Sequence, residues 1–328
     1  FLRIIATLGT MRTSALETET HGYPPHEGRV VTSEDWSAQL RAQGRRVTRQ
    51  RLAVLAAIAL DTTVVQVGSE ADARQQAFSP DTYGTQEFPR IRDAVIPIVP
   101  GAICFDLLNG GNKAWGRFPP YRDLGYAAAN AASDDFELGS VGAGMGATTA
   151  NLKGGLGSAS DVTDDGVKVA ALAVVNAVGS VAVGNGPWFW AAPFEVNSEF
   201  GGRGLPPSFT QDMLKPRLKG GTDATAAENT TLVVVVTDAQ LTKPQARRLA
   251  MIAQTGMARA IYPVHAPLDG DVVFAAATGA KPVDPLFGLT KLGAIAANTV
   301  ARAIARGVHS ATPLPFPGAL PSWRDRFG

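Results

Sequence analysis

Glu228-Asn229-Thr230-Thr231-Leu232-Val233-Val234-Val235-Val236 joins a polar loop to a run of branched apolar residues. Residues 220–229 supply the loop, with two glycines at its start. Thr231 to Val236 is almost unbroken in β-branched character, the pattern of a strand covered on both faces. Such a strand sits inside a sheet, and the flanking sequence supplies the neighbours. Val272 to Ala277 and Lys168 to Val175 have the same composition, and Gly179 to Val183 reads as a further strand after a turn. Ala94 to Val99 is a shorter strand pushed to an edge by Pro97. Thr242 is placed to N-cap a helix with Pro244 in its first turn, burying Ala246, Leu249, Ala250 and Ala253. Leu292 to Arg306 reads as a helix ended by Gly307, and Tyr126 to Ala132 as a short Ala-rich one. Strands alternating loosely with helices make a layered α/β or α+β domain.

Ahead of this core the chain is different. Residues 1–90 are polar and charge-rich, with helix starts expected at Thr32 and Thr48 and a basic cluster at Arg41, Arg45, Arg46, Arg49 and Arg51. Residues 91–236 are rich in Gly, Ala and Val, and a Pro-rich tail begins near residue 312. Of 328 residues, 45% are hydrophobic and 18% charged, enough apolar material for a sizeable core. Thirty Lys and Arg against 29 Asp and Glu leave a net charge of +1, which argues against a general nucleic-acid or anionic-membrane surface. Cys104 stands alone, so there is no internal disulfide, and four scattered histidines lack ligand spacing, so no metal site is expected. The most apolar run, Val169 to Val183, is too short to span a bilayer, and no signal peptide is read, so a cytoplasmic location is the default.

Common catalytic motifs are missing. Gly157-Ser-Ala-Ser-Asp161 lacks the closing glycine of a nucleophile elbow, and there is no Walker A sequence. Gly142-Ala-Gly-Met-Gly146 is a tight turn rather than a dinucleotide loop, because no clear strand precedes it. The junction at Thr230 admits two readings. In one, the hydroxyls belong to an ordinary Thr-rich strand start. In the other, the Asn229–Thr230 bond is cut, and Thr230 gains an α-amine titrating near ~7.7–8.0 that can take the proton of its own hydroxyl. Asp269 and Asp271, spaced by Gly270, either form a solvated turn or point together at that amine. Asn176 interrupts an apolar strand, and its amide either bonds a turn or donates to an oxyanion. Lys153 is either an exposed lysine or part of the same site. Trp188, Phe189 and Trp190 belong either to the core or to an apolar cleft.

Taken together, several stretches resemble the DmpA-type aminopeptidase family and, within it, the nylon-oligomer hydrolase (NylC-like) branch. They are Val99-Pro-Gly-Ala-Ile-Cys-Phe-Asp106, Gly139 to Ala147, Lys153 to Ser160, Ala173 to Gly179, Asn229-Thr-Thr231, His265 to Asp271 and Leu292 to Ala296. The resemblance spans roughly residues 95–310. It implies an α+β fold, a four-layer α-β-β-α sandwich of the N-terminal-nucleophile type, self-cleaved between Asn229 and Thr230. Residues 91–229 and 230–328 would then be its two subunits. It further implies Thr230 as nucleophile, Asp269 and Asp271 as the acidic pair beside it, Asn176 near the oxyanion, no metal or organic cofactor, and homotetramers or larger rings. The implied activity is hydrolysis of short peptides or ω-amino-acid oligomers of nylon type. Departures are visible: Asn151 stands where that branch has a lysine, Lys153 matches the lysine of the aminopeptidase branch, and Phe105 stands where a tyrosine is usual. Asn151 and Phe105 would thus face the substrate. Residues 1–90 do not resemble the family's N-terminal third, whereas residues 33–60 resemble the opening helices of ferric-uptake-regulator winged-helix proteins. That supports a different expectation, a non-catalytic or regulatory protein whose basic segment binds DNA or a partner.

Overall fold

In the computed structural model, the described residues are 102–107, 109–114, 116, 124–125, 128, 135–220, 229–267 and 269–328, with the backbone of three strands before residue 100. The predicted helices before residue 60, the basic cluster and Tyr126 to Ala132 (apart from Ala128) fall outside them.

Five strands form one mixed sheet. They are β1 (Thr63–Gly68), β4 (Gly155–Val162), β5 (Lys168–Asn176), β6 (Thr230–Ala239) and β7 (Val272–Lys281), in the order β1-β7-β6-β5-β4. Strands β2 (Arg90–Ile91) and β3 (Ala94–Val95) make a separate antiparallel pair. Only β6 and β7 run parallel, because helix α1 (Lys243–Ala258) carries the chain back between them. Strand β1 pairs antiparallel with β7, so the polar first zone contributes an edge strand to the main sheet. Of the expected short strand from Ala94, Ala94–Val95 is β3 and the rest lies outside the described residues, and Gly179 to Val183 makes isolated bridges, Ser180 with Tyr262 and Ala182 with Phe189, in place of a strand.

The alternation along β6 divides the core. Val233 and Val235 face one cluster together with Val273, Ala275 and the helices. Leu232, Val234 and Val236 face a second cluster with Val272, Phe274, Leu172 and Val174. A strand buried on both sides must be apolar at every position, which is why the run of valines is unbroken. Among the described residues the first face is covered by α1 and by helix α2 (Phe287–His309). Ala102, Cys104, Phe136, Val141 and Ala143 pack against the second face.

Helix α1 begins as expected. Thr242 accepts from the Gln245 backbone while Gln245 returns a bond to the Thr242 backbone, a complete capping box. Helix α2 does not stop at Gly307 but runs on to His309. That glycine is a packing residue: a Cβ on Gly157 would lie 1.9 Å from the Ala303 carbonyl oxygen, and one on Gly155 would lie 2.5 Å from that of Gly307. Helix and strand therefore touch backbone to backbone. The same contact explains why β4, with its Gly-Leu-Gly-Ser-Ala-Ser sequence, is a strand that composition alone conceals. Phe189 belongs to this core, its ring stacked on Trp323 at 5.5 Å and edge-on to Phe200 at 5.4 Å.

No helix among the described residues is long and apolar enough to cross a membrane.

Candidate functional site

The site lies where β5 ends and β6 and β7 begin. Asn176, the last residue of β5, pairs directly across the ladder with Thr230, the first of β6. One residue earlier, Asn229 forms a parallel bridge with Asp269. The ladder thus draws Asp269-Gly-Asp271 alongside Asn229-Thr-Thr231. Asn176, Asn229, Thr230, Asp269 and Asp271 are all buried, as polar groups seldom are without partners.

Around the Asn229–Thr230 peptide the contacts are short. The Gly270 N–H donates to the Asn229 carbonyl oxygen at 2.7 Å. The Thr230 hydroxyl donates to the same oxygen at 2.6 Å. That carbonyl is polarised from two sides, as an acyl group about to carry negative charge would be. A Cβ on Gly270 would come within 2.8 Å of Thr230 Oγ1, so glycine is what admits the hydroxyl.

Each aspartate has its own surroundings. Asp271 is fully engaged: Oδ1 accepts from the Thr231 N–H at 2.7 Å and Oδ2 meets His265 Nδ1 at 2.8 Å. His265 holds a left-handed backbone with φ of 56°, an uncommon conformation for a residue with a side chain. Asp269 accepts from the Ala266 N–H through Oδ2 at a long 3.3 Å, and its buried Oδ1 has no hydrogen-bond partner among the described residues. Burial, and secondarily the charge of Asp271, push the Asp269 carboxyl up to about 7. The Ala266 hydrogen bond, His265, and a Val178 N–H that falls short of hydrogen-bond geometry offset only part of this. Two carboxylates two residues apart are therefore unlike: one is a satisfied anchor, the other an acid poised near neutrality.

On the β5 side, Asn176 Oδ1 accepts from Thr148 N–H at 3.1 Å, from Asn109 Nδ2 at 3.3 Å and from Lys219 Nζ at 2.8 Å. Its Nδ2 donates to the Phe105 carbonyl at 2.6 Å. Phe105 thus meets the site through its backbone. Burial lowers the Lys219 ammonium to about 8. Lys153 is also buried and lowered by burial to about 8, but it spends its ammonium on the carbonyl oxygens of Gly144, Ala147 and Gly154, each at 2.8 Å. It ties the Gly142–Gly144 turn to the start of β4, one step back from Asn176. Asn151 Oδ1 accepts from the Ser180 hydroxyl at 3.1 Å. Trp190 stacks on Phe209 at 6.3 Å and tilts against Tyr262. No group of three or more His, Cys, Asp or Glu among the described residues is placed to hold a metal.

Four participants escape a reading of the sequence. Lys219 lies in an ordinary-looking basic stretch, Arg217-Leu-Lys219-Gly220, 43 residues from its partner Asn176. Asn109 and the Gly270 N–H carry no motif. His265 is visible six residues ahead of Asp271, but only the left-handed turn brings the two together.

An uncharacterized aminopeptidase of Mycobacterium bovis is 41% identical over 244 residues, covering 71% of this chain and 68% of its own. Two solved structures are more distant. A β-aminopeptidase of Burkholderia is 23% identical with a TM-score of 0.42, over 62% of this chain and 57% of that one. An L-aminopeptidase D-Ala-esterase/amidase of Ochrobactrum anthropi is 20% identical with a TM-score of 0.41, over 61% and 55%. The chain spans little more than half the length of those two. The model of peptidase family S58 matches residues 42–318, reaching well ahead of the stretch that resembled a hydrolase in sequence. On that match and the mycobacterial identity, the chain belongs to peptidase family S58.

Proposed function

We propose that the chain is an autoprocessing amide hydrolase whose nucleophile is Thr230, released as an N-terminal residue by scission of the Asn229–Thr230 bond. The observation that carries this is the buried Asn229 carbonyl gripped at 2.7 Å by the Gly270 N–H, with the Thr230 hydroxyl against it. In the first step Thr230 Oγ1 adds to the Asn229 carbonyl carbon. The negative charge develops on the oxygen that Gly270 already holds, and the C–N bond breaks as the nitrogen takes a proton. Asp269, near its midpoint at neutral pH, is the group able to move that proton. Water then hydrolyses the ester, leaving a carboxylate on Asn229 and a free α-amine on Thr230.

The liberated amine takes over as base. An unperturbed α-amine titrates near ~7.7–8.0. The carboxylates of Asp269 and Asp271 favour its protonated form and raise its basicity. It accepts the Thr230 hydroxyl proton as Oγ1 attacks a substrate amide, and returns that proton to the leaving amine. The substrate carbonyl takes the place vacated by Asn229 and meets the same Gly270 N–H. Asp271, held by His265 and Thr231, keeps the strand start in register. Lys153 fixes the neighbouring turn rather than touching substrate. Short peptides with a free amino terminus, or ω-amino-acid oligomers, are the substrates that suit this site. The mycobacterial relative, described as an aminopeptidase, supports the peptide class.

Intact-mass measurement of purified protein tests the reading. Two fragments, residues 1–229 and 230–328, are expected, together with turnover of dipeptides. A single uncut chain without turnover after long incubation defeats it. Gly270→Ala supplies a sharper probe. Its methyl group would press on Thr230 Oγ1 at 2.8 Å and displace the nucleophile by tenths of an ångström. Fragment appearance followed by gel is expected to slow by at least about tenfold; splitting at the wild-type rate would remove Gly270 from the mechanism.

A further inference from the structure

Two lysines lie near Asn176, Lys153 buried and Lys219 half-buried, and their bonding differs in kind. Lys153 places its ammonium against three main-chain carbonyls, a complete set for three protons. Lys219 has a single acceptor among the described residues, Asn176 Oδ1 at 2.8 Å. The Lys219 main chain is anchored separately, its N–H donating to the Val178 carbonyl at 2.8 Å. The side chain is therefore not needed to hold the segment in place. Among the described residues it is the one charged donor to the Asn176 amide, and Asn176 pairs with Thr230 across the ladder.

We propose that Lys219 is a positioning residue for the acyl-transfer step, gripping Asn176 Oδ1 so that the carboxamide is oriented and polarised toward the developing oxyanion. The amide orientation follows from its neighbours. Three donors surround one end and a carbonyl faces the other, so the oxygen and nitrogen cannot be exchanged. A carboxamide whose oxygen accepts from a cation becomes a stronger donor through its nitrogen. Nδ2 has one proton on the Phe105 carbonyl and a second that this bond does not use. The cation itself adds favourable field to a carbonyl gaining negative charge in a buried site. Nothing comparable is available to a neutral side chain at position 219.

The charged groups around Lys219 fix the sign of the pH dependence. Burial lowers its ammonium to about 8, Asp269 pulls the other way, and Lys153 reinforces the lowering. The Cys104 thiol is itself pushed up to about 12, by burial first and Asp106 second, and stays neutral through the working range. Asp271 and His265 act in turn on Asp269, the first raising and the second lowering it. As pH rises through 8, Lys219 loses its proton and Asn176 loses its charged partner.

The inference rests on Thr230 being the nucleophile, so the readout is self-cleavage, which needs no knowledge of the substrate. Uncut chain isolated in urea is refolded into buffers from pH 6 to 10, and fragment formation is followed by gel. Folding is checked by circular dichroism. Wild type is expected to split fastest below pH 8 and more slowly above it. K219R, whose cation does not titrate in this range, should fall less steeply than wild type above pH 8, the remaining fall belonging to Lys153 and Asp269, which titrate in both chains. K219M should split roughly 10- to 100-fold more slowly, with a shallower alkaline fall than wild type. A K219M rate within twofold of wild type, or a K219R profile that falls as steeply as wild type above pH 8, overturns the proposal. If K219M does not regain its fold, the K219R profile decides alone. Failure of wild type to split at all sinks the Thr230 reading instead, so the two failures are told apart.

Discussion

Thr230→Ala should yield one intact chain and no detectable amidase activity, a loss of at least about a thousandfold. Every step of the proposed reaction passes through Oγ1, first on the Asn229 carbonyl and then on the substrate. Alanine removes that atom while sparing the fold, because Thr230 packs at the entrance of β6 and, among the described residues, its hydroxyl bonds only to the adjacent carbonyl. Thr230→Ser provides the control. It keeps the hydroxyl and drops one methyl, so the chain should still split, at a reduced rate because a less restricted rotamer spends less time against the carbonyl. If Thr230→Ala still splits at residue 229, the scission belongs to another group or to a contaminating protease. If it stays whole but retains turnover, the hydroxyl is not the nucleophile. Mass spectrometry and a dipeptide assay on the same preparations separate these cases.

How much of this was legible in the sequence depends on how local each feature is. The β6 strand, the Thr242 cap and the α1 stripe are written in contiguous residues, and periodicity exposes them. The Asn229-Thr230 and Asp269/Asp271 pairing was legible through the family resemblance alone, since residues 259–271 separate α1 from β7 and no local pattern brings the two together. What escaped was set by tertiary contact. Gly155 and Gly157 look like turn residues but sit in a strand, because the α2 backbone needs the space. Gly307 looks like a helix stop for the same reason. Gly179 to Val183 has strand composition, yet its bonds go to Tyr262 and Phe189, outside any ladder. Lys219 and Lys153 cannot be ranked by sequence at all. Only the acceptors around each ammonium show that one ties down a turn and the other reaches the amide opposite Thr230.

Asp269→Asn should make the protein more stable and less active at the same time, and the conflict is a direct consequence of where the carboxyl sits. Burial raises Asp269 to about 7 from an ordinary value near 3.8. A carboxyl raised on folding binds its proton more tightly in the native state. Its contribution is therefore fully present below the unfolded value and is lost as pH climbs from about 4 through 7. At pH 8 the native state carries an ionised, buried group at a cost on the order of 3 kcal/mol. Asparagine is close in shape and carries no charge, so the cost disappears at pH 8 and little changes at pH 4, where the aspartate is already neutral. The comparison is best made between Thr230→Ala and the double variant Thr230→Ala/Asp269→Asn, because both chains then stay uncut and differ in one group only. Urea unfolding at the two pH values should show the gain at pH 8 alone. In the otherwise wild-type chain the same substitution removes the group that moves the proton, and splitting should slow by about a hundredfold or more. Equal stability at both pH values would mean that Asp269 is well solvated and titrates normally. Undiminished splitting would mean that the proton leaves by another route, with Asp271 the next carboxylate in line despite its bonds to His265 and Thr231.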